Sequence, residues 1–375
     1  MKTYNQVAIV QLEALCNAIG FEKQVTAFAA IQEFLFEGWG DKEIPAQPFY
    51  PSAIGDDHSP FEFSIAFSRK SAELRLLFET QADRPSLLDN QRAALAFNSR
   101  LAKQYKINLE RFDRVKDLFL VPDPKPPFSL WHAACFDPGE EPDFKLYLNP
   151  QVQGPDRAHE LICEALGRLG FGKAAISLID DAAWRGRDLD ELSYFSLDLS
   201  NAPNARVKVY FRHSNATARE LERTFKLAPT HRPGDLVDYC QAMVRGEGPF
   251  TKKPVSSCFS FVEGSDVPSA VTFHFPIAHY LPDDATVAER ITSYLLSQKM
   301  AATSYARALT AFANRSFGAD AGIQSYASYR REKSGMRLTA YLSPELFSSK
   351  DKHESHTRLK AEARRITPAP VKKSG

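Results

Sequence analysis

The sequence predicts an α+β barrel: ten antiparallel strands closed around a lumen, helices outside, built from five ααββ repeats. Three observations carry this. Segments of period-two hydrophobicity occur in adjacent pairs, and the pairs recur about every 65 residues. Helical patterns, often two together, fill the gaps between pairs. One face of the strands is apolar, while the other repeatedly carries Arg, Lys and Tyr.

Taken in order, LEALCNAIGF and TAFAAIQEFLF predict helices ahead of the first strand pair, FEFSIAF from Phe61 and ELRLLFE from Glu73. The second pair is SLWHAACF from Ser129 with DFKLYLNP from Asp143. DRAHELICEALGRLGF then places Leu161, Leu166 and Leu169 near one helix face. The third pair is LSYFSLDL from Leu192 with ARVKVYFR from Ala205, followed by helical ARELERTFKL and GDLVDYCQAMV. The fourth is SSCFSFV from Ser256 with AVTFHFP from Ala270. TVAERITSYLLSQ, with Thr286 placed to cap it, and ATSYARALTAFA lead to the last pair, IQSYASYRR from Ile323 and MRLTAYLS from Met336. Hairpin-linked strands imply an antiparallel sheet, and helices covering one face are best accommodated by closure. One domain is expected over 1–348, with a flexible polar tail at 349–375.

Composition narrows the function. The formal net charge is +1, so no global basic field favours nucleic acid or a membrane surface. The start has no signal-peptide pattern and no segment reaches membrane-spanning length, so a cytoplasmic protein is expected. The five cysteines lack CxxC spacing, which argues against a zinc site or disulfide framework, and Cys135 and Cys258 are taken as structural. The acidic pairs Asp56-Asp57, Asp180-Asp181 and Asp283-Asp284 do not continue as DDxxD and read as turns and helix starts. No GxxxxGK[ST] loop is present. No metal site is expected, and any phosphate must be held by a local cluster of cations.

Strand parity supplies that cluster. Side chains alternate across a strand, so Glu62 stands opposite Phe61 and Phe63, and Arg75 opposite Leu74 and Leu76. Lys145 and Tyr147 share a face, as do Arg206, Lys208 and Tyr210, and Thr272 and His274. Tyr326 and Arg330 form a further set, with Arg337 and Tyr341 on the last strand. Trp131 is assigned to the outward face and the core, and Tyr280 to packing. A wet sheet surface would also account for one such strand. The same face recurring on a closed sheet instead lines a chamber. Cations there are costly without an anion, which implies a ligand.

At these residues the chain resembles the dimethylallyltryptophan synthase family of aromatic (indole) prenyltransferases, which have the αββα prenyltransferase-barrel fold. The resemblance runs from Ile54 to Ser343 and is anchored by PFEFS with Glu62, FKLYLNP with Lys145 and Tyr147, and RVKVYF with Arg206, Lys208 and Tyr210. Overall length is closer to the bacterial or cyanobacterial branch. The resemblance implies transfer of a dimethylallyl group from dimethylallyl diphosphate to tryptophan or a tryptophan-derived indole, in secondary metabolism. It implies small-molecule substrates, no required cofactor, no essential magnesium, and a monomer or homodimer.

By the same resemblance, Arg75, Lys145, Arg206 and Lys208 grip diphosphate, with Arg330, Arg331 and Arg337 as further candidates. Tyr147, Tyr210, Tyr326 and Tyr341 form an aromatic shield for the allyl cation, and His274 replaces a shield tyrosine. Glu62 accepts the indole N–H. Ala53 and Ile54 offer backbone groups to the acceptor, and Thr272 stands where a nearby glutamine is found. His132 stands where a lysine often does and is a candidate to take the ring proton. Prenylation of a phenolic acceptor on the same barrel, and a non-catalytic carrier of a small anion or isoprenoid, are the competing readings.

Overall fold

Every period-two segment becomes a strand. The computed structural model describes residues 1–347 except Lys70 and Ser334, so the expected tail at 349–375 lies outside the described residues. The strands are β1 (Phe61–Phe67), β2 (Ala72–Phe78), β3 (Leu130–Phe136), β4 (Asp143–Leu148), β5 (Asp190–Asp198), β6 (Arg206–His213), β7 (Val255–Val262), β8 (Ala270–Phe275), β9 (Gln324–Glu332) and β10 (Gly335–Leu342). Each pairs antiparallel with its sequence neighbours, and β1 pairs with β10, for example Ile65 opposite Ala340. The sheet is therefore a closed barrel without a free edge.

Two α-helices precede each strand pair. They are α1 (Tyr4–Ile19), α2 (Val25–Leu35), α3 (Leu87–Gln104), α4 (Glu110–Phe119), α5 (Ala158–Arg168), α6 (Lys173–Ala182), α7 (Ala218–Phe225), α8 (Asp235–Val244), α9 (Asp284–Ser297) and α10 (Ala302–Phe312). Helices α3, α4 and α6 complete the helix pairs that the ααββ repeat implies, in stretches where the sequence pattern singles out no helical segment. The buried stripe of α3 mixes Asn90, Gln91 and Asn98 with Ala94, Phe97 and Leu101, which blurs its apolar period. Helix α9 starts earlier than expected: Asp283, not Thr286, is the cap, and its carboxylate accepts from the Thr286 N–H at 2.7 Å.

The core lies between the outer face of the sheet and the helices. Phe61 packs on Phe36, Phe63 on Phe312 of α10 and Phe67 on Tyr305 of α10, at centroid distances of 5.3, 6.2 and 6.0 Å. Burying each such ring contributes on the order of 2 kcal/mol. This packing fixes parity, because an apolar face committed to the helices sends the alternate side chains into the lumen.

Two bulges modify that parity. Register shifts between Leu192 and Tyr194 in β5, and in β9 opposite the step from Ala340 to Leu342. The extra residues fall at two Ser-Tyr dipeptides, Ser193-Tyr194 and Ser325-Tyr326. A bulge re-aims side chains beside it, and both tyrosine rings join the lumen wall. Among the described residues no helix is long and apolar enough to cross a membrane.

Candidate active site

Cations from five strands face the lumen. Ladder partners share a face, so the row runs from Arg75 on β2 through Cys135 on β3, and from Lys145 on β4 to Asp198 on β5. It continues through Ser196, Lys208 and Ser260, and separately through Thr272, Arg330 and Arg337. Arg206 lies two residues before Lys208 on the same face of β6. Lys145 Nζ sits 2.7 Å from Cys135 Sγ. Cys135 and Cys258 thus border the lumen instead of packing under the helices.

Two carboxylates, missed in the sequence, brace these cations. Asp198 accepts from Arg206 Nε at 2.8 Å and lies 3.5 Å from Lys208 Nζ. Glu73 bonds Arg75 and accepts from Arg337 Nη2 at 2.5 Å. Burial pushes both carboxyls up, but the surrounding cations outweigh it and hold them well below the usual range. The signal was available: Glu73 stands two residues from Arg75, and Asp198 two from Ser196 on the lumen face of β5. The balance differs at Lys208, where burial outweighs Asp198 and pulls the ammonium down to about 7. Burial also lowers Arg330.

An aromatic wall adjoins the cations. Tyr147 and Tyr210 are 6.0 Å apart, Tyr210 and His274 5.9 Å, His274 and Tyr341 5.8 Å, and Tyr341 and Tyr326 6.2 Å between centroids. The Tyr341 hydroxyl is 3.1 Å from His274 Nδ1. Burial and nearby cations push His274 down to about 3, so its ring is neutral. Tyr194 extends the wall, 5.6 Å from Tyr210 and 5.7 Å from Trp131.

Trp131 and His132 correct the sequence reading. Trp131 pairs with Tyr147 and faces the lumen, stacked on Phe128 at 4.0 Å. His132 faces the helices: it stacks on Phe78, meets Phe97 of α3 edge-on at 4.8 Å, and bonds Asn98 through Nε2 at 2.7 Å. Burial pulls its pKa down to about 3. His132 therefore does not reach the chamber as a base. LWHAACF is apolar on both faces, so alternation alone could not choose; the outward set is decided by Leu130 and Phe136, which are buried under helices, Phe136 against Phe28 of α2.

Arg331 is likewise removed from the candidate set. It pairs with Met336, on the outward face, and bonds Asp235 at the start of α8. Arg330 and Arg337 are ladder partners inside. Thr272 stands in register with Arg330 and Cys258, beside a cation.

Glu62 faces the lumen from β1 and is 7% exposed. Ser325 Oγ, presented by the β9 bulge, donates to its Oε1 at 2.5 Å. Burial raises the Glu62 carboxyl to about 8 against the lowering effect of that bond. A second buried carboxyl, Glu79, follows β2 with the same parity and is raised by burial to about 7. Ala53 and Ile54 lie in the loop before β1, with Ala53 exposed. That loop is pinned by Asp57, which accepts from Ser59 Oγ at 2.5 Å and from the Phe347 N–H at 3.2 Å. Its neighbour Asp56 is more than a turn residue: it pairs with Lys253 and His279. Tyr280 packs against Phe275, as expected. Among the described residues no cluster of His, Cys, Asp or Glu has the makings of a metal site.

Comparison with known proteins yields one consistent picture. The profile of the family described as tryptophan dimethylallyltransferase matches residues 22–308. The structure of 6-dimethylallyltryptophan synthase from Micromonospora olivasterospora in complex with DMASPP and Trp superposes with a TM-score of 0.87 at 30% identity, covering 92% of this chain and 99% of that one. The 5-dimethylallyltryptophan synthase from Streptomyces coelicolor gives a TM-score of 0.84 at 28% identity, over 93% and 99%. Among curated proteins, prenyltransferase iacE from Pestalotiopsis fici is 24% identical over 373 residues, 84% of each chain.

Proposed function

We propose, from the premise that this chain belongs to the tryptophan dimethylallyltransferase family, that it transfers the dimethylallyl group of dimethylallyl diphosphate to the ring of an indole acceptor, tryptophan or a compound derived from it. The observation that carries the reading is the shared chamber: the cations, the aromatic wall and Glu62 face one lumen enclosed by the same sheet. Residues 1–348 are taken as a single catalytic domain.

Each group then has a role. Arg75, Lys145, Arg206, Lys208, Arg330 and Arg337 hold the diphosphate by charge-assisted hydrogen bonds. They stabilise the charge that gathers on it as the allylic C–O bond breaks and the electron pair leaves with the phosphate. Tyr147, Tyr210, Tyr326 and Tyr341, joined by Tyr194, Trp131 and neutral His274, turn π faces to the allyl cation and keep water from it. Ionised Glu62 accepts the indole N–H and enriches the ring as a ring carbon attacks. The ring proton then leaves to a lumen base. With His132 outside, Glu62 and Glu79 are the carboxyls that burial has made more basic.

The test is incubation with isotopically labelled dimethylallyl diphosphate and a panel of indoles and phenols, with diphosphate release and prenylated product followed by mass spectrometry. Transfer to an indole supports the reading. Turnover restricted to phenols, or binding without diphosphate release as a carrier would show, overturns it.

A further inference from the structure

Glu62 is held from a strand that is not its neighbour. Ser325 Oγ on β9 donates to Glu62 Oε1 at 2.5 Å, across 263 residues of chain. Strand β10 lies between β9 and β1, so the two backbones stand about 10 Å apart. The bulge in β9 is what turns the hydroxyl inward. Gln324 and Ala327 both face the helices, as ladder partners of Leu342 and Ala340. They are three residues apart, a spacing that plain alternation does not allow. Ser325 and Tyr326, between them, therefore both point into the lumen. The entry to the bulge is fixed from outside the barrel. Asp284, at the start of α9, accepts from the Gln324 N–H at 2.9 Å and from the Ile323 N–H at 3.1 Å, and Arg315 bonds it in turn. The Ser193-Tyr194 bulge repeats the dipeptide on β5, but the Ser193 hydroxyl is buried there without a partner.

We propose that Ser325 is the positioning residue for Glu62: its hydroxyl fixes the carboxylate in the charged form, with one oxygen left for the indole N–H. The inference rests on the indole-prenylation reading above. A buried carboxylate persists as an anion only where donors or cations replace the water it has lost. Around Glu62 the charges nearly cancel. Asp56 and Asp57 act against its charge, and Lys253 acts for it. The Tyr341 hydroxyl on β10 is a further titratable group that feels it, and Glu79 stands two residues along β2 from Leu77, its ladder partner. After burial itself, the Ser325 hydrogen bond is the strongest influence on the carboxyl, and it favours the ionised form. With Oε1 taken, Oε2 is the oxygen that meets the N–H. Without Ser325 the carboxyl is free to turn about its last bond and is neutralised more readily.

The test follows acceptor kcat/KM against pH for wild type, Ser325→Ala and Ser325→Thr, with L-tryptophan or the best indole of the panel above, at saturating dimethylallyl diphosphate. Loss of the hydroxyl raises the Glu62 carboxyl further. In Ser325→Ala the rise of kcat/KM therefore moves up by about one pH unit or more, and activity near about pH 7 falls about tenfold or more. The deficit shrinks as pH passes the new midpoint. Ser325→Thr keeps the donor and stays close to wild type. Affinity for inorganic diphosphate and Tm are unchanged in both variants. Where the Ala variant loses either, Ser325→Cys, a weaker donor of similar size, takes its place and shifts the midpoint in the same direction. A midpoint that does not move, whether or not the rate falls, overturns the proposal, as does a Thr variant that behaves like Ala. In both cases indole prenylation itself stands. Transfer by wild type to no indole at all overturns both.

Discussion

Asp198 Oδ1 lies 3.5 Å from Lys208 Nζ, across the ladder between β5 and β6. Lys208 is buried, yet Asp198 is shared with Arg206, so Lys208 receives only part of its charge. That is why burial wins and the Lys208 ammonium is pulled down to about 7.

Diphosphate binding should therefore take up a proton. Incoming phosphate oxygens favour charged Lys208, so affinity should fall as pH rises above about 7, where the empty chamber holds the neutral amine. Calorimetric titration of inorganic diphosphate in two buffers of different ionisation enthalpy measures the uptake. Lys208→Met should weaken binding by about thirtyfold, equivalent to ~2 kcal/mol, and flatten the pH dependence. Equal heats in both buffers for wild type would show that Lys208 stays charged throughout.

Glu62 should set a pH dependence of opposite sign for the acceptor. Its carboxyl is raised to about 8, so the ionised form that accepts an indole N–H grows as pH climbs through that value. Acceptor kcat/KM should rise over the same interval. Glu62→Gln should lose on the order of a hundredfold and abolish the rise, with diphosphate affinity little changed. A Gln variant that turns over like wild type would remove Glu62 from the indole.

Trp131 and His132, adjacent in sequence, should part in kinetics. His132→Ala opens a hole between Phe78 and Phe97 and should cost about 2–5 kcal/mol of stability, read as a lower Tm, while the pH–rate profile keeps its shape. Trp131→Ala thins the lumen wall, and a larger share of dimethylallyl diphosphate should be lost to water as dimethylallyl alcohol. A changed pH profile in His132→Ala would return that imidazole to the chemistry.

On the proposed function turnover should persist in excess chelator, since the lumen supplies fixed side-chain cations for the diphosphate. Complete loss of activity that magnesium restores would contradict this; a modest stimulation by magnesium would not.

The barrel was legible because ten strands repeat one pattern, and a closed sheet leaves few ways to arrange it. The cationic half of the site was legible for the same reason: Lys145, Arg206 and Lys208 alternate with large apolar residues that commit the opposite face to helices. Legibility failed where a strand offers no contrast. LWHAACF has an apolar residue at nearly every position, so Trp131 and His132 exchanged faces relative to the expectation. Arg331 was misplaced when a resemblance was weighed against parity, and parity prevailed. Tyr194 and Ser325 sit at bulges, where simple alternation breaks down. Lys253 lies outside any strand, and its partner Asp56 is 197 residues away, a proximity that no local pattern encodes.

The pairing of β1 with β10 has a consequence for synthesis. Phe67 meets Leu338, and the two are separated by nearly the whole barrel. During translation the first hairpin must wait for the last strand, with the outer edge of β1 open to other chains. Contacts of such long range form slowly, because the loop they close is large. A nascent chain halted before β10 would display two unpaired edges and a half-built cationic trough. Its hazards would be intermolecular strand pairing and capture of stray polyanions, both of which end when the final strand docks.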